Sequence, residues 1–249
     1  MKPFIELQKI GLDFGKQTIF EDLNLQVEAN EFISIIGKSG TGKTTLIRMI
    51  AGLLAPTSGR VLINGEAITE PHKEITYVFQ KPVLLEWRNL LENVLLPIEL
   101  ERKVTTKDID KAKEVLKLVH LEEDQAKYPH ECSGGMVSRV SLARALITNP
   151  KILLMDEPFA ALDSITKEQL QLELTQIIST YHSTVIFITH DIQEAVFLSD
   201  RVVLINENSN KVNEFIVPFP RPRHKDLKFE PEFQQLIKQI YESLEMIEG

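Results

Sequence analysis

The stretch IGKSGTGKTT, Ile36 to Thr45, interleaves three glycines with lysines and hydroxyls directly after an isoleucine-rich run. Gly37, Gly42, Lys43 and Thr44 fit the spacing G-x-x-x-x-G-K-[ST]. Glycines let successive backbone N–H groups turn inward toward phosphate oxygens, and a helix opening just after them adds its positive end. At these positions Lys43 is expected to bridge β- and γ-phosphates and the Thr44 hydroxyl to ligate Mg²⁺. Lys38, Ser39, Gly40, Thr41 and Thr45 complete the expected nucleotide-binding loop. A second constellation is Ile152-Leu153-Leu154-Met155-Asp156-Glu157, an apolar run ending in two acids. Asp156 at a strand tip suits Mg²⁺ held through water. Glu157, one residue on, suits the polarising of an attacking water as general base. Two adjacent acids can also be a solvated turn; the phosphate-type loop earlier in the chain is what favours chemistry here. No N-K-x-D motif for guanine is present.

The elements that must position these residues follow from pattern. FIELQKIGLDF and LNLQVEANEFISIIG read as strands, the second ending in the continuous apolar run Phe32 to Ile36 that suits a buried strand. Thr44 to Leu54 reads as a helix, stopped by the turn cluster APTSG. RVLING and ITYVFQ read as further strands. Residues 82–145 are mostly helical, with Leu90, Val94, Leu95, Val115, Leu116 and Val119 at helical spacing. KILLMDEP and STVIFITHD are β-rich runs separated by a helix from Ser164 to Thr180, a βαβ rhythm that implies a parallel sheet. DRVVLINE adds a late strand. The composition changes at Pro218. PFPRPRH should be extended, and Phe233, Leu236, Ile237, Ile240 and Leu244 then repeat at the spacing of an amphipathic helix. Residues 1–218 therefore form the main domain, with a helical subdomain at about 82–145, and residues 219–249 form a Pro/Arg-rich segment plus a C-terminal helix that docks on its own domain or on a partner.

A chain of 249 residues, 43% hydrophobic, is long enough to bury a large core. Its formal charge of -8 argues against a dedicated nucleic-acid binder, which would carry a basic stripe. One cysteine, Cys132, forms no internal disulfide and fits a reducing compartment. The N-terminus has no long apolar segment of the secretory type, and no run approaches the length of a membrane span, so a membrane association is expected to go through a partner.

A third motif points to a family. CSGGMVSRVSLARAL, Cys132 to Leu146, resembles the signature of ATP-binding cassette (ABC) ATPases, L-S-G-G-Q or, in some importers, L-S-G-G-M. Ser133, Gly134, Gly135 and Met136 match, as do Arg139 and LARAL; Cys132 replaces the leucine, and Val137-Ser138 replace the usual arginine–glutamine pair. The resemblance covers residues 4–215. It implies an α/β P-loop NTPase fold with a RecA-like parallel sheet, an antiparallel β part and a helical subdomain. It further implies that Gln80 touches Mg²⁺ and the attacking water, that Asp163 lies in the D-loop Ala161-Leu162-Asp163, that His190 contacts the γ-phosphate, and that Phe14 stacks on adenine. Ser133, Gly134 and Gly135 would cradle the ATP of the opposite subunit in a homodimer with two sandwiched ATP molecules.

The segment after Gln80, KPVLLEWRNLLENVLLPIEL, resembles that of ATPases serving nitrate, sulfonate, taurine and thiamine-precursor importers, with Trp87 matching and Glu86 in place of a proline. PFPRPR resembles the L-P-R-P-R stretch of the same group. The implied protein is an ATPase subunit on the cytoplasmic face of the membrane, bound to integral membrane permease subunits and indirectly to a solute-binding protein. Trp87 would face the permease or pack in the subdomain core. Two alternatives remain at this stage: a non-transport ABC ATPase, or a nucleotide-binding regulatory module with little hydrolysis.

Overall fold

The computed structural model describes residues 3–15, 17–206 and 212–246. The described residues form ten strands and seven α-helices. Strands β1 (Ile5–Phe14), β2 (Gln17–Val27), β4 (Ser58–Ile63) and β5 (Glu66–Ala67) form an antiparallel sheet in the order β2-β1-β4-β5. The larger sheet has the order β10-β9-β3-β8-β7-β6. Its members are β3 (Phe32–Ile36), β6 (Ile75–Val78), β7 (Ile152–Asp156), β8 (Thr184–Ile188), β9 (Arg201–Leu204) and β10 (Asn213–Ile216). All pairings in it are parallel except β10 against β9.

The run from Leu23 to Gly37, which reads as one strand in sequence, is two strands in two sheets. The chain turns at Glu28 to Glu31, with Asn30 in the left-handed region at φ 63°, a conformation asparagine tolerates better than most residues. Along β3, β7 and β8 successive side chains go to opposite faces. Phe32, Leu153, Met155, Val185 and Phe187 enter one core, and Ile33, Ile35, Ile152, Leu154, Ile186 and Ile188 the other. The continuous apolar runs follow from this two-sided burial. One face is covered by the antiparallel sheet and α1 (Lys43–Ile50). The other is covered by α2 (Leu90–Glu101), α3 (Thr106–Leu118), α4 (Gly134–Leu146), α5 (Ser164–Tyr181) and α6 (Ile192–Leu198).

The segment from β6 to α2 is pinned from inside. Asn93, fully buried, accepts from the Leu85 N–H at 2.8 Å and donates to the carbonyls of Leu85 (3.1 Å) and Arg88 (3.0 Å). Asn89 and Glu92 close a capping box at the start of α2. On this anchored loop Trp87 is 73% exposed, so it is not part of the subdomain core.

The C-terminal segment packs back on the sheet domain. In α7 (Pro231–Met246), Phe233 and Ile240 are fully buried in the same core as α6. Arg223 is buried and donates to the carbonyls of Val196, Phe197, Ser199 and Phe219. It thereby satisfies acceptors that the end of α6 leaves free. Burial pushes its guanidinium down to about 10. Arg221 bonds Asp200 at 3.1 Å and the Leu198 carbonyl at 2.8 Å, and lies 5.2 Å from the centre of the Phe32 ring. The Pro/Arg stretch is therefore a strap over α6 rather than a free linker. Among the described residues no helix is long and apolar enough to cross a membrane.

Candidate functional site

The parallel strands β3, β8, β7 and β6 lie side by side and all end at one edge. Ligands of open α/β sheets bind beyond such carboxyl ends. The loop Gly37–Gly42 leaves β3, Thr189 and His190 leave β8, Asp156 and Glu157 end β7, and Gln80 follows β6. Strand order therefore gathers residues that are far apart in sequence.

The loop is shaped by glycine. Gly40 and Gly42 take φ of 90° and 89°, where a side chain would be strained. A Cβ on Gly42 would also lie 2.6 Å from both the Ile19 and Phe20 side chains. The Lys43 ammonium donates to the carbonyls of Gly37 at 2.8 Å and Lys38 at 2.5 Å, folded back across its own loop. Burial holds its pKa below the ordinary lysine value, partly offset by Glu157 and Asp156. A cation in a half-desolvated loop of peptide groups is suited to a phosphate. Ser39 and Gly40 are exposed at the loop tip, Thr41 is buried beneath it, and Thr45 sits in the first turn of α1.

Across the loop, the Thr44 hydroxyl donates to Asp156 Oδ1 at 3.2 Å. Asp156 is buried, which raises its pKa, while hydrogen bonds from Thr44 and Tyr77 act in the opposite direction. Tyr77 on β6 donates to Asp156 Oδ2 at 3.3 Å. Burial, then the Asp156 charge, pushes the Tyr77 phenol well above its ordinary range, so it stays a donor. Sequence reasoning missed Tyr77, although the alternation of β6 could have placed it on a defined face.

Glu157 takes φ 46°, uncommon for a residue with a side chain. Its N–H still bonds the Ile188 carbonyl at 3.0 Å. The turn presents its carboxylate to two residues from neighbouring strands. Gln80 Nε2 donates to Glu157 Oε2 at 3.0 Å, and His190 Nδ1 lies 3.4 Å from the same oxygen. The three residues read separately in sequence thus form one cluster. A carboxylate so held can accept a proton from a water beside it.

The third motif lies at the start of α4. Ser133 is its N-cap and accepts from the Met136 N–H at 3.3 Å. Gly134 faces open space, and a Cβ on Gly135 would meet Leu162 of the D-loop stretch at 3.3 Å. Asp163 caps α5, accepting from the Thr166 N–H at 3.0 Å, which holds its carboxyl below the usual range. Cys132, partly buried against the helical core, has its Sγ 3.3 Å from the Tyr128 carbonyl, and burial pushes its thiol up. Ser133 is thus engaged at its own helix start, while Lys43 is engaged by the carbonyls of its own loop. The side chain of Phe14, expected against adenine, lies outside what the structure describes.

The family model for ABC transporter proteins matches residues 20–160, more than half of the chain. The chain belongs to the ABC transporter family. Among its relatives is the bicarbonate transport ATP-binding protein CmpD of Synechocystis sp., 44% identical over 227 residues, covering 89% of this chain and 80% of that one. The nitrate import ATP-binding protein NrtD of Synechococcus elongatus is 42% identical over 242 residues, covering 94% and 88%. The aliphatic sulfonates import ATP-binding protein SsuB of Bacillus cereus is 38% identical over 248 residues, covering 97% and 96%. A solved dimeric bacterial ABC transporter cassette, MJ0796, superposes with a TM-score of 0.77 at 30% identity, covering 87% of this chain and all of that one. The same cassette in a dimeric post-hydrolysis state bound to ADP and phosphate gives 0.76. This ABC protein is thus an ATPase of the transporter type, built on the cassette fold that its motifs imply.

Proposed function

We propose that this ABC protein is the ATP-hydrolysing subunit that energises import of a small solute of the nitrate, sulfonate or bicarbonate kind. The carrying observation is the convergence of Lys43, Thr44–Asp156 and Gln80–Glu157–His190 on one edge of the sheet. The names of the relatives support the solute class. The subunit acts as a homodimer on the cytoplasmic face of the membrane, attached to integral permease subunits and, through them, to a solute-binding protein. No nucleic acid takes part.

In this reading the loop from Gly37 to Thr45 wraps the phosphates, with Lys43 leaving its loop carbonyls for the β- and γ-phosphates. The Thr44 hydroxyl, an Asp156 carboxylate oxygen and the Gln80 carbonyl form an all-oxygen set suited to a hard cation. They would hold Mg²⁺, which when bound neutralises phosphate charge. Glu157 orients water for in-line attack and takes its proton, Gln80 fixes the carboxylate, and His190 reaches the γ-phosphate. Phe14 stacks on adenine. Ser133, Gly134 and Gly135 complete the site from the other subunit, with Asp163 beside them. Lys43→Ala is expected to lower ATP affinity by tenfold or more, ~1.4 kcal/mol or above for a charge-assisted phosphate contact. Equilibrium binding of a fluorescent ATP analogue measures this; unchanged affinity would reject the loop assignment.

Trp87 and Arg88 belong to the surface offered to the permease. Trp87 is 73% exposed on a loop anchored by Asn93, and Arg88 is fixed by a forked pair with Glu99. An exposed aromatic on a rigid support is suited to a partner. Trp87→Ala is expected to leave thermal stability within ~0.5 kcal/mol, as for an exposed site, and to leave ATP hydrolysis by the isolated subunit unchanged. Solute uptake and recovery of the subunit with its membrane partners should fall. Parallel losses of stability and hydrolysis would remove Trp87 from the docking surface, and full uptake would do the same.

A further inference from the structure

His190 is an exposed side chain on a turn whose two flanking residues are fixed from within. Before it, Thr189 is 2% exposed and its hydroxyl does two things: it accepts from the Asp191 N–H at 3.1 Å and donates to the Glu194 carboxylate. After it, Asp191 caps α6, accepting from the Glu194 N–H at 3.1 Å. Asp191 and Glu194 thus occupy the two ends of a capping box, three residues apart. In the ordinary box the glutamate accepts directly from the N-cap amide. Here the Thr189 hydroxyl is interposed, and the inserted link closes a ring around His190.

The ring is tied to a second helix. Glu194 is 5% exposed and also accepts from Gln171 Nε2 at 2.9 Å. Lys167 Nζ sits 2.9 Å from Asp191 Oδ2 and 3.3 Å from Glu194 Oε1. Both Lys167 and Gln171 are on α5, which starts at the Asp163 cap. A plain helix cap needs neither a buried carboxylate nor a lysine from another element, and burying charge without such partners is costly. Burial raises the Glu194 pKa, and Thr189, Lys167 and Gln171 act against that rise.

We propose that Glu194 is a positioning residue for His190, acting through the Thr189 hydroxyl, and that Lys167 joins this turn to the start of α5. The inference rests on the role given to His190 under Proposed function. It adds that the rotational setting of the imidazole near Glu157 is held by residues that never touch nucleotide. Fixing a reacting group to within a fraction of an ångström is where such support matters for rate.

The test uses the full-length protein with Mg–ATP, and the variants Thr189→Val, Glu194→Ala and Glu194→Gln, each alone and combined with His190→Ala. The His190 Cε1–H signal, assigned by its loss in His190→Ala, is followed by NMR. Thr189→Val and Glu194→Ala are expected to lower kcat about tenfold or more while KM stays within about twofold. In the His190→Ala background the same changes should cost less than about twofold, because coupled residues are not additive. Glu194→Gln retains an oxygen for the Thr189 hydroxyl and should recover most of kcat. The His190 signal should move in Thr189→Val and Glu194→Ala and return in Glu194→Gln.

Additive losses with His190→Ala, or an unmoved His190 signal, would overturn the proposal. Hydrolysis by His190→Ala at the parental rate would instead reject the role of His190 itself; the NMR signal then decides whether Glu194 still sets its position. Should Glu194→Ala fail to fold, Thr189→Val breaks the same link with a side chain of similar shape.

Discussion

Glu157→Gln is expected to keep ATP affinity and to lose turnover by about 100-fold or more, the range for removing a general base. The substitution keeps size and shape at a position where the backbone is already in an uncommon conformation, φ 46°. It also keeps one oxygen that can accept from Gln80, whose amide now donates at 3.0 Å. What the amide cannot do is take a proton from water. Lys43, Thr44 and Asp156 are untouched, so phosphate binding should be preserved. ATP should therefore bind, close the dimer and remain unhydrolysed. Size-exclusion chromatography with ATP, alongside phosphate release, gives both readouts. Accumulation of an ATP-loaded dimer with little phosphate release is the expected result. Hydrolysis at the parental rate would show that Glu157 is not the base. Loss of ATP binding would show that the change had damaged the loop rather than the chemistry.

How much of this site is legible in sequence depends on how locally each part is encoded. The phosphate loop and the acid pair are contiguous, and their glycines, lysine and carboxylates each do work within a few residues. They are found where sequence reading puts them, at the tips of β3 and β7. The contact of Gln80 with Glu157 depends on β6 lying beside β7, a fact of sheet order that no local pattern carries. Tyr77 escaped notice for the same reason. Its neighbours in sequence say strand, and only the parallel pairing puts its hydroxyl on Asp156. The Thr189–Glu194 link looks in sequence like an ordinary helix start, because D-x-x-E is a common cap; the burial of Glu194 against α5 is a tertiary event.

Two strands that merged in sequence illustrate the opposite limit. Leu23 to Gly37 has apolar strand residues at both ends and only the short interruption Glu28 to Glu31, where the dividing turn rests on Asn30 adopting a left-handed φ. Helix α6 is only seven residues long, and four consecutive residues in it, Ala195 to Leu198, are all buried, so no helical period shows. Strand β10 is mostly exposed and antiparallel, and lacks the apolar run that marks its parallel neighbours. The C-terminal prolines promised extended chain, which they are. The arginines between them reach inward to carbonyls at the end of α6, a pairing that only the docked helix makes sense of.

A mixture of two inactive proteins, one with Lys43→Ala and one with Ser133→Arg, is expected to recover ATP-dependent dimerisation that neither shows alone. In the proposed sandwich each site joins the Lys43 loop of one subunit to the Ser133 helix start of the other. Each homodimer then has two damaged sites. In a mixed dimer both lesions fall in one site, and the other joins an intact Lys43 to an intact Ser133. The structure favours the choice of positions. Ser133 is exposed at the start of α4 and Gly134 beside it faces open space, so an arginine has room without disturbing the core. Losing the Ser133 cap, which now accepts from Met136, costs ~1 kcal/mol, too little to unfold a domain of this size. The arginine instead fills the place where a phosphate would meet the helix start. Differently tagged subunits establish how many mixed dimers form, and ATP-dependent closure is read on those alone, since one intact site need not restore steady hydrolysis. Closure in mixed dimers well above either parent supports a site shared across subunits. Closure no greater than in the parents would mean that Lys43 and Ser133 serve different sites, and the two-subunit ATP sandwich would have to be abandoned for this protein.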